Sequence, residues 1–209
     1  MSTVTPLPLK RDKIAKRESI VLIAKDIFLK DGFSATSMAT VAAQVGGSKA
    51  TLYNYFPSKQ ELFVAVVQEF CEQNGEVFGS LDWGAGDFRS ALTRFGRDIA
   101  RLMVSDEVIA MHRLIAAEAG RFPEIGAAYY EAGVSRGKQK LIAKFEAAAQ
   151  QGHIRVADPR LAAQHFFDLC MAGVHRRRLW NMGPAPTEAE IDENVEAAVT
   201  AFLDGYRPR

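Results

Sequence analysis

Between residues 12 and 56 the chain alternates apolar helical stripes with residues that cannot continue a helix, and this punctuation leaves few folds open. Ile20, Ile23, Ala24, Ile27 and Phe28 recur at the three- and four-residue spacing of a helix with one buried face, over about 12–31. Gly32 supplies a stop. Thr36 or Ser37 can cap a short second helix to Val45, with the apolar face Met38, Val41, Ala42 and Val45. Gly46-Gly47 breaks it. Ser48 caps a third helix that ends near Phe56, because Pro57 pushes the residue before it out of the helical region. Ser58, with Glu61 three residues on, forms a capping box for a fourth helix whose stripe is Leu62, Phe63, Val66, Val67 and Phe70.

The remainder also reads as helix. Phe88, Leu92, Phe95, Ile99 and Met103 mark a helix over about 86–104, and Asp106 opens another to about Gly120. Phe122-Pro123 starts a long helix to about Gln151. Asp158-Pro159 starts one to about Met182, and Thr187 with Glu190 caps the last, to Tyr206. No segment needs to be a strand. The expected fold is all-α with about nine helices: residues 1–57 as one domain, with 1–9 a loose arm, and 58–209 as a second.

Composition narrows the setting. The chain has 209 residues, enough for a sizeable core, and only two cysteines, Cys71 and Cys170, too few for a disulfide scaffold. No apolar run approaches the roughly 20 residues that span a bilayer, and the N-terminus lacks a secretory apolar region, so a cytoplasmic protein without membrane contact is expected. Net charge is +1, yet residues 1–60 hold nine basic and four acidic residues. A basic head on an acidic body suits an anionic partner.

Residues 36–56, TSMATVAAQVGGSKATLYNYF, have a helix-turn-helix layout, in which the second helix enters the DNA major groove N-terminus first. Ser48 exposes backbone N–H groups suited to phosphate, and Lys49 adds a charge. Ala50 and Thr51 are small enough to approach base edges. Tyr53, Asn54 and Tyr55 offer hydroxyls and an amide; Leu52 and Phe56 are the buried anchors. Lys59 is a further phosphate candidate. Spacing alone leaves a purely structural pair of helices equally open.

The string SKATLYNYFPSKQELF at 48–63, with TSMATVAAQVG at 36–46, resembles the TetR/AcrR family of transcriptional regulators. The resemblance implies an N-terminal three-helix DNA-binding domain on a larger helical domain that dimerises and binds an effector. It implies DNA contacts at Ser37, Ser48, Lys49, Thr51, Tyr53, Asn54, Tyr55 and Lys59, beside Ala50 from the residue reading. Gly47 departs from the pattern, where an apolar residue is usual. Residues 113–133 (RLIAAEAGRFPEIGAAYYEAG) and 152–160 (GHIRVADPR) are similar to the AefR-like class of C-terminal domains.

Other chemistry is not indicated. The four histidines, His112, His153, His165 and His175, lack the spacing of a metal site, and no nucleophile, paired acid and base, or phosphate loop is visible, so no metal, cofactor or enzyme activity is expected. Phe88, Leu92, Phe95, Met103, Met111, His112, Ile115, Phe122, Tyr129, Phe166, Cys170 and Trp180 are candidates to line an effector pocket, though core packing competes for them. Candidate polar groups for such a pocket are His112, Arg113, Glu118, His165 and His175. The 159–182 helix is apolar on more than one side, which predicts a covering body. Leu169, Gly173, Val195, Ala198, Val199 and Phe202 are the expected homodimer interface, a four-helix bundle with the twofold mate. The expected function is a repressor that binds double-stranded, pseudo-palindromic operator DNA as a dimer and releases it on binding a small hydrophobic or amphipathic effector. A small all-α enzyme and a dimeric ligand carrier without DNA binding are the alternatives.

Overall fold

A computed structural model describes residues 8–84, 86–156, 158–206 and 208, with side chains from Asp12 onward. Among them there is no strand. By their contacts the residues divide into two compact units, one holding the chain up to Phe70 together with Leu114–Tyr129, the other Cys71–Arg113 and Tyr130–Arg209.

The first unit contains α1 (Pro8–Asp31), α2 (Met38–Val45), α3 (Lys49–Tyr55), most of α4 (Lys59–Asn74), the end of α6 (Asp106–Glu118) and α7 (Pro123–Tyr129). Helix α1 already begins at Pro8, inside the expected arm; residues 1–7 lie outside the described ones. The caps form as the sequence predicts. Ser37 Oγ accepts from Thr40 N–H (3.1 Å), Ser48 Oγ from Thr51 N–H (3.0 Å) and Ser58 Oγ from Glu61 N–H (3.1 Å). Gly46 ends α2 at φ +69° and returns its N–H to α2 carbonyls. Ile20, Ala24, Phe28, Val41, Leu52, Phe56, Leu62 and Phe63 are buried. Four rings tie the elements together: Phe28 to Phe63 and Phe33 to Phe63 at 5.2 Å, and Phe33 to Phe122 at 5.0 Å.

The second unit contains α5 (Phe88–Val104), the start of α6, α8 (Arg136–Gln150), α9 (Pro159–Met171), α10 (Val174–Leu179) and α11 (Glu188–Tyr206). Its core is one aromatic-rich cluster that includes Phe95, Phe145, Phe166 and Phe202. Gly96 lets α5 and α11 approach, since a Cβ there would meet Val195 Cγ1 at 2.8 Å. The Thr187–Glu190 capping box forms in both directions, at 2.8 and 3.2 Å.

Two expected helices differ. The one expected over 159–182 divides into α9 and α10, because Gly173 takes φ +78° and ends the α-helical run. The one expected from Pro123 to Gln151 carries a π turn over Tyr130–Ser135, at the border of the two units. Taking that interrupted helix as one, ten helices run through the described residues, close to the nine expected. No helix there is long and apolar enough to cross a membrane.

Candidate nucleic-acid interface

Helix α3 is anchored by one side and free on the other. Leu52 and Phe56 are buried (2% and 3% exposed), while Ser48, Lys49, Ala50, Thr51, Tyr53 and Asn54 are exposed and Tyr55 is half-buried. A helix of 3.6 residues per turn held at 52 and 56 must turn 50, 51 and 54 outward, and Lys49 in the first turn and Tyr53 at the edge of the anchored side are exposed as well. Arg17 lies over the Phe56 ring at 5.1 Å, fixing α1 against the anchor. At the start of α2, Ser37 is exposed and its hydroxyl pairs with that of Thr40 (2.9 Å); Ser48 and Thr51 repeat the arrangement at α3 (2.9 Å).

Lys59 is placed otherwise than a free phosphate ligand. Its Nζ donates to the carbonyls of Phe33 (2.7 Å), Thr36 (2.9 Å) and Ser34 (3.4 Å), and it sits 4.3 Å from the centre of the Phe33 ring. An ammonium has three N–H bonds, and all three have acceptors here. Burial pulls its pKa below the ordinary lysine value, and the charge of Glu118 opposes that pull. Lys59 therefore clamps the α1–α2 loop.

Glu118 clamps the same loop. Its carboxylate accepts from the backbone N–H of Ser34 (2.9 Å) and from the Ser34 hydroxyl (2.7 Å), and these bonds hold its pKa below the usual carboxylate range. Sequence reasoning missed the role of Ser34, since no local pattern links residues 84 positions apart.

The residues proposed for an effector pocket divide between the two units. Phe88, Leu92, Phe95, Phe166 and Cys170 are buried against each other in the core of the second unit, with Met103 packed on them. Met111 is buried and His112 half-buried in that unit, whereas Ile115, Phe122 and Tyr129 belong to the first. Trp180 is 65% exposed, so it is a surface residue. The candidate polar groups are engaged locally. His112 and His175 share a hydrogen bond of 3.0 Å, Arg113 donates to the carbonyls of Arg178 (2.7 Å) and Leu179 (2.9 Å), and His165 pairs with the Tyr206 hydroxyl at 2.6 Å. Burial, and secondarily the charge of His175, lowers the His112 pKa to about 4. No cluster of three metal-ligating side chains occurs among the described residues.

The interface expectation needs correction. Val195, Ala198, Val199 and Phe202 are buried within this chain's own core, where α11 packs on α5 and α9, and of the four Phe202 also lines a surface hollow. The period of α11 turns Ala197, Thr200 and Ala201 outward instead. On α9 the outward residues include Leu161, Gln164, His165 and Asp168, with Leu169 half-buried; Gly173 beyond it is exposed.

Comparison with known proteins agrees with this architecture. The profile "Bacterial regulatory proteins, tetR family" matches residues 20–66, and "AefR-like transcriptional repressor, C-terminal domain" matches 90–208. A structure of a TetR-family transcriptional regulator from Mesorhizobium loti MAFF303099 is similar at TM-score 0.86 and 29% identity, over 93% of this chain and 98% of that one. The Flavonoid-responsive Regulator FrrA is similar at TM-score 0.82 and 33% identity, over 93% and 98%. The HTH-type transcriptional regulator RutR of Escherichia coli K12 is 38% identical over 58 residues, 28% of this chain and 27% of RutR, so that match spans about a quarter of its curated relative. The chain belongs to the TetR family of helix-turn-helix transcriptional regulators.

Proposed function

We propose that the protein is an effector-responsive repressor that binds a pseudo-palindromic operator as a homodimer. The observation that carries this reading is α3, held by Leu52 and Phe56 so that Lys49, Ala50, Thr51, Tyr53 and Asn54 face solvent. Ser37, Ser48 and Tyr55 complete the surface, and Lys59 supports it from behind. A dimer would present two such helices to successive major grooves, about 34–36 Å apart. The head extends to Pro57, and the body from Ser58 onward carries dimerisation and effector binding.

Repression, rather than activation, is supported by the AefR-like repressor profile over 90–208. The effector is hydrophobic or amphipathic, and the flavonoid response in the name of FrrA makes planar polyphenols the first probes. An effector releases DNA only by binding the DNA-incompetent arrangement more tightly, so operator DNA must weaken effector binding by the same factor. The dimer forms through the outward faces of α9 and α11, around Leu169, Gly173, Ala197 and Ala201.

The test is fluorescence anisotropy with DNA from upstream of the gene and a scrambled control, over a salt series. Specific binding that weakens steeply with salt is expected. Equal, weak binding to both sequences, together with effector uptake, would leave a ligand carrier instead.

A further inference from the structure

The second unit carries an exposed apolar projection and an apolar hollow. We infer that the Trp180 indole of one protomer seats in the hollow of a second copy, with an ion pair between Arg176 and Asp168 across the interface. This inference rests on the dimer reading above and adds the contact that sets its register.

The projection follows α10. The Trp180 N–H donates to the Arg176 carbonyl at 3.0 Å, which places Arg176 and Trp180 one helical turn apart on one face. Asn181 then takes φ +57°, and Met182 follows it. Trp180 and Met182 are 65% and 62% exposed. Scattered exposed apolar residues carry no meaning by themselves. A large indole beside a methionine and an unpaired cation is different, because it combines apolar area with a charge that needs an opposite one.

The hollow has a volume of about 410 Å³ and is lined by His165, Asp168, Leu169, Ala201, Phe202 and Tyr206. Its floor is apolar, and Asp168 is its one acid. Neither Asp168 nor Arg176 has a side-chain ion pair or hydrogen bond among the described residues, although both are exposed. Asp168 offers the acceptor that a covered indole N–H requires and the charge that Arg176 lacks.

The placement of the two features suits a twofold axis. Helices α9 and α11 are antiparallel: His165 meets Tyr206, Asn194 donates to the Cys170 carbonyl (2.6 Å), and Arg177 pairs with Glu190 (2.8 Å). The hollow therefore lies at the 165/206 end and Trp180 beyond the 177/190 end. A twofold axis across the middle of this helix pair lays each end over the opposite end of the mate, so one contact is made twice. Ala172, Gly173 and Ala197, all exposed, put small residues near the middle, where two copies can approach closely.

Sedimentation equilibrium of the full chain over a dilution series tests this, with circular dichroism to confirm folding. Trp180→Ala and Asp168→Arg should each raise the dimer Kd by about tenfold or more. Arg176→Asp should do the same, and Arg176→Asp combined with Asp168→Arg should recover most of the loss. A wild-type dimer whose Kd none of these variants changes overturns the inference and leaves the dimer reading intact. Failure of the charge exchange to recover affinity overturns the ion pair. A wild-type chain that is monomeric throughout overturns both readings.

Discussion

Glu118, the last residue of α6, accepts both the backbone N–H and the hydroxyl of Ser34, a residue in the α1–α2 loop 84 positions earlier. The bonds favour the charged carboxylate, which is why its pKa is lowered. A carboxylate whose folded pKa is depressed contributes its stability in full above the unfolded value and loses it as pH falls through the folded one. Glu118→Ala should therefore cost about 1–2 kcal/mol at pH 7 and progressively less in acid. Urea unfolding of wild type and variant at pH 7 and in the carboxylate range checks this. Equal stability at pH 7 would mean that the clamp contributes nothing.

His112 gives the opposite kind of group the same pH dependence. Its pKa falls from the ordinary 6.5 to about 4 because burial penalises the cation. Below 6.5 the unfolded chain gains a proton that the folded chain refuses, so stability is full above that value and declines between it and about 4. The fall should reach roughly 3 kcal/mol at most. His112→Gln should flatten this part of the profile, as read from denaturant midpoints at pH 7.5 and 5.

The two glycines of the turn should behave differently. Gly46 holds φ +69°, where a Cβ costs about 1–2 kcal/mol, so Gly46→Ala should lower the Tm. Gly47 is not at positive φ, and an added Cβ would meet only Thr51 Cβ at 3.9 Å. Gly47→Ala should instead stabilise by about 0.4–1 kcal/mol through the unfolded state. Thermal unfolding of both variants separates the roles.

Lys49 and Lys59 should also separate. Lys49→Ala and Tyr53→Ala should weaken operator binding with little change in Tm, since both side chains are exposed. If Lys49 neutralises one phosphate, its removal reduces the salt slope by about 1. Lys59→Ala should lower the Tm, because the carbonyls of Phe33 and Thr36 lose a charged donor. Anisotropy and thermal melts on the same samples decide it. Full operator affinity in Lys49→Ala and Tyr53→Ala would remove α3 as the reading helix.

Much of the head was legible in the sequence because its signals are local. A cap, a glycine stop and an apolar stripe act within one or two turns, so Ser37, Ser48, Gly46 and the Leu52–Phe56 pair could be read directly. The body was legible as helices but not as surfaces. The stripe of α11 showed that Val195, Ala198, Val199 and Phe202 are covered, yet nothing in it said whether this chain or a partner covers them. The core of the second unit answers that.

By itself the sequence determined the helical class, most helix ends, the outward face of α3 and the family resemblance, since each depends on residues near one another along the chain. Tertiary structure alone decided that Lys59 and Glu118 clamp one loop, that His112 meets His175, and that Trp180 stands in solvent. Those facts depend on which distant backbone groups come within hydrogen-bond reach and which side chains compete for the same covered space, and spacing along a chain carries neither.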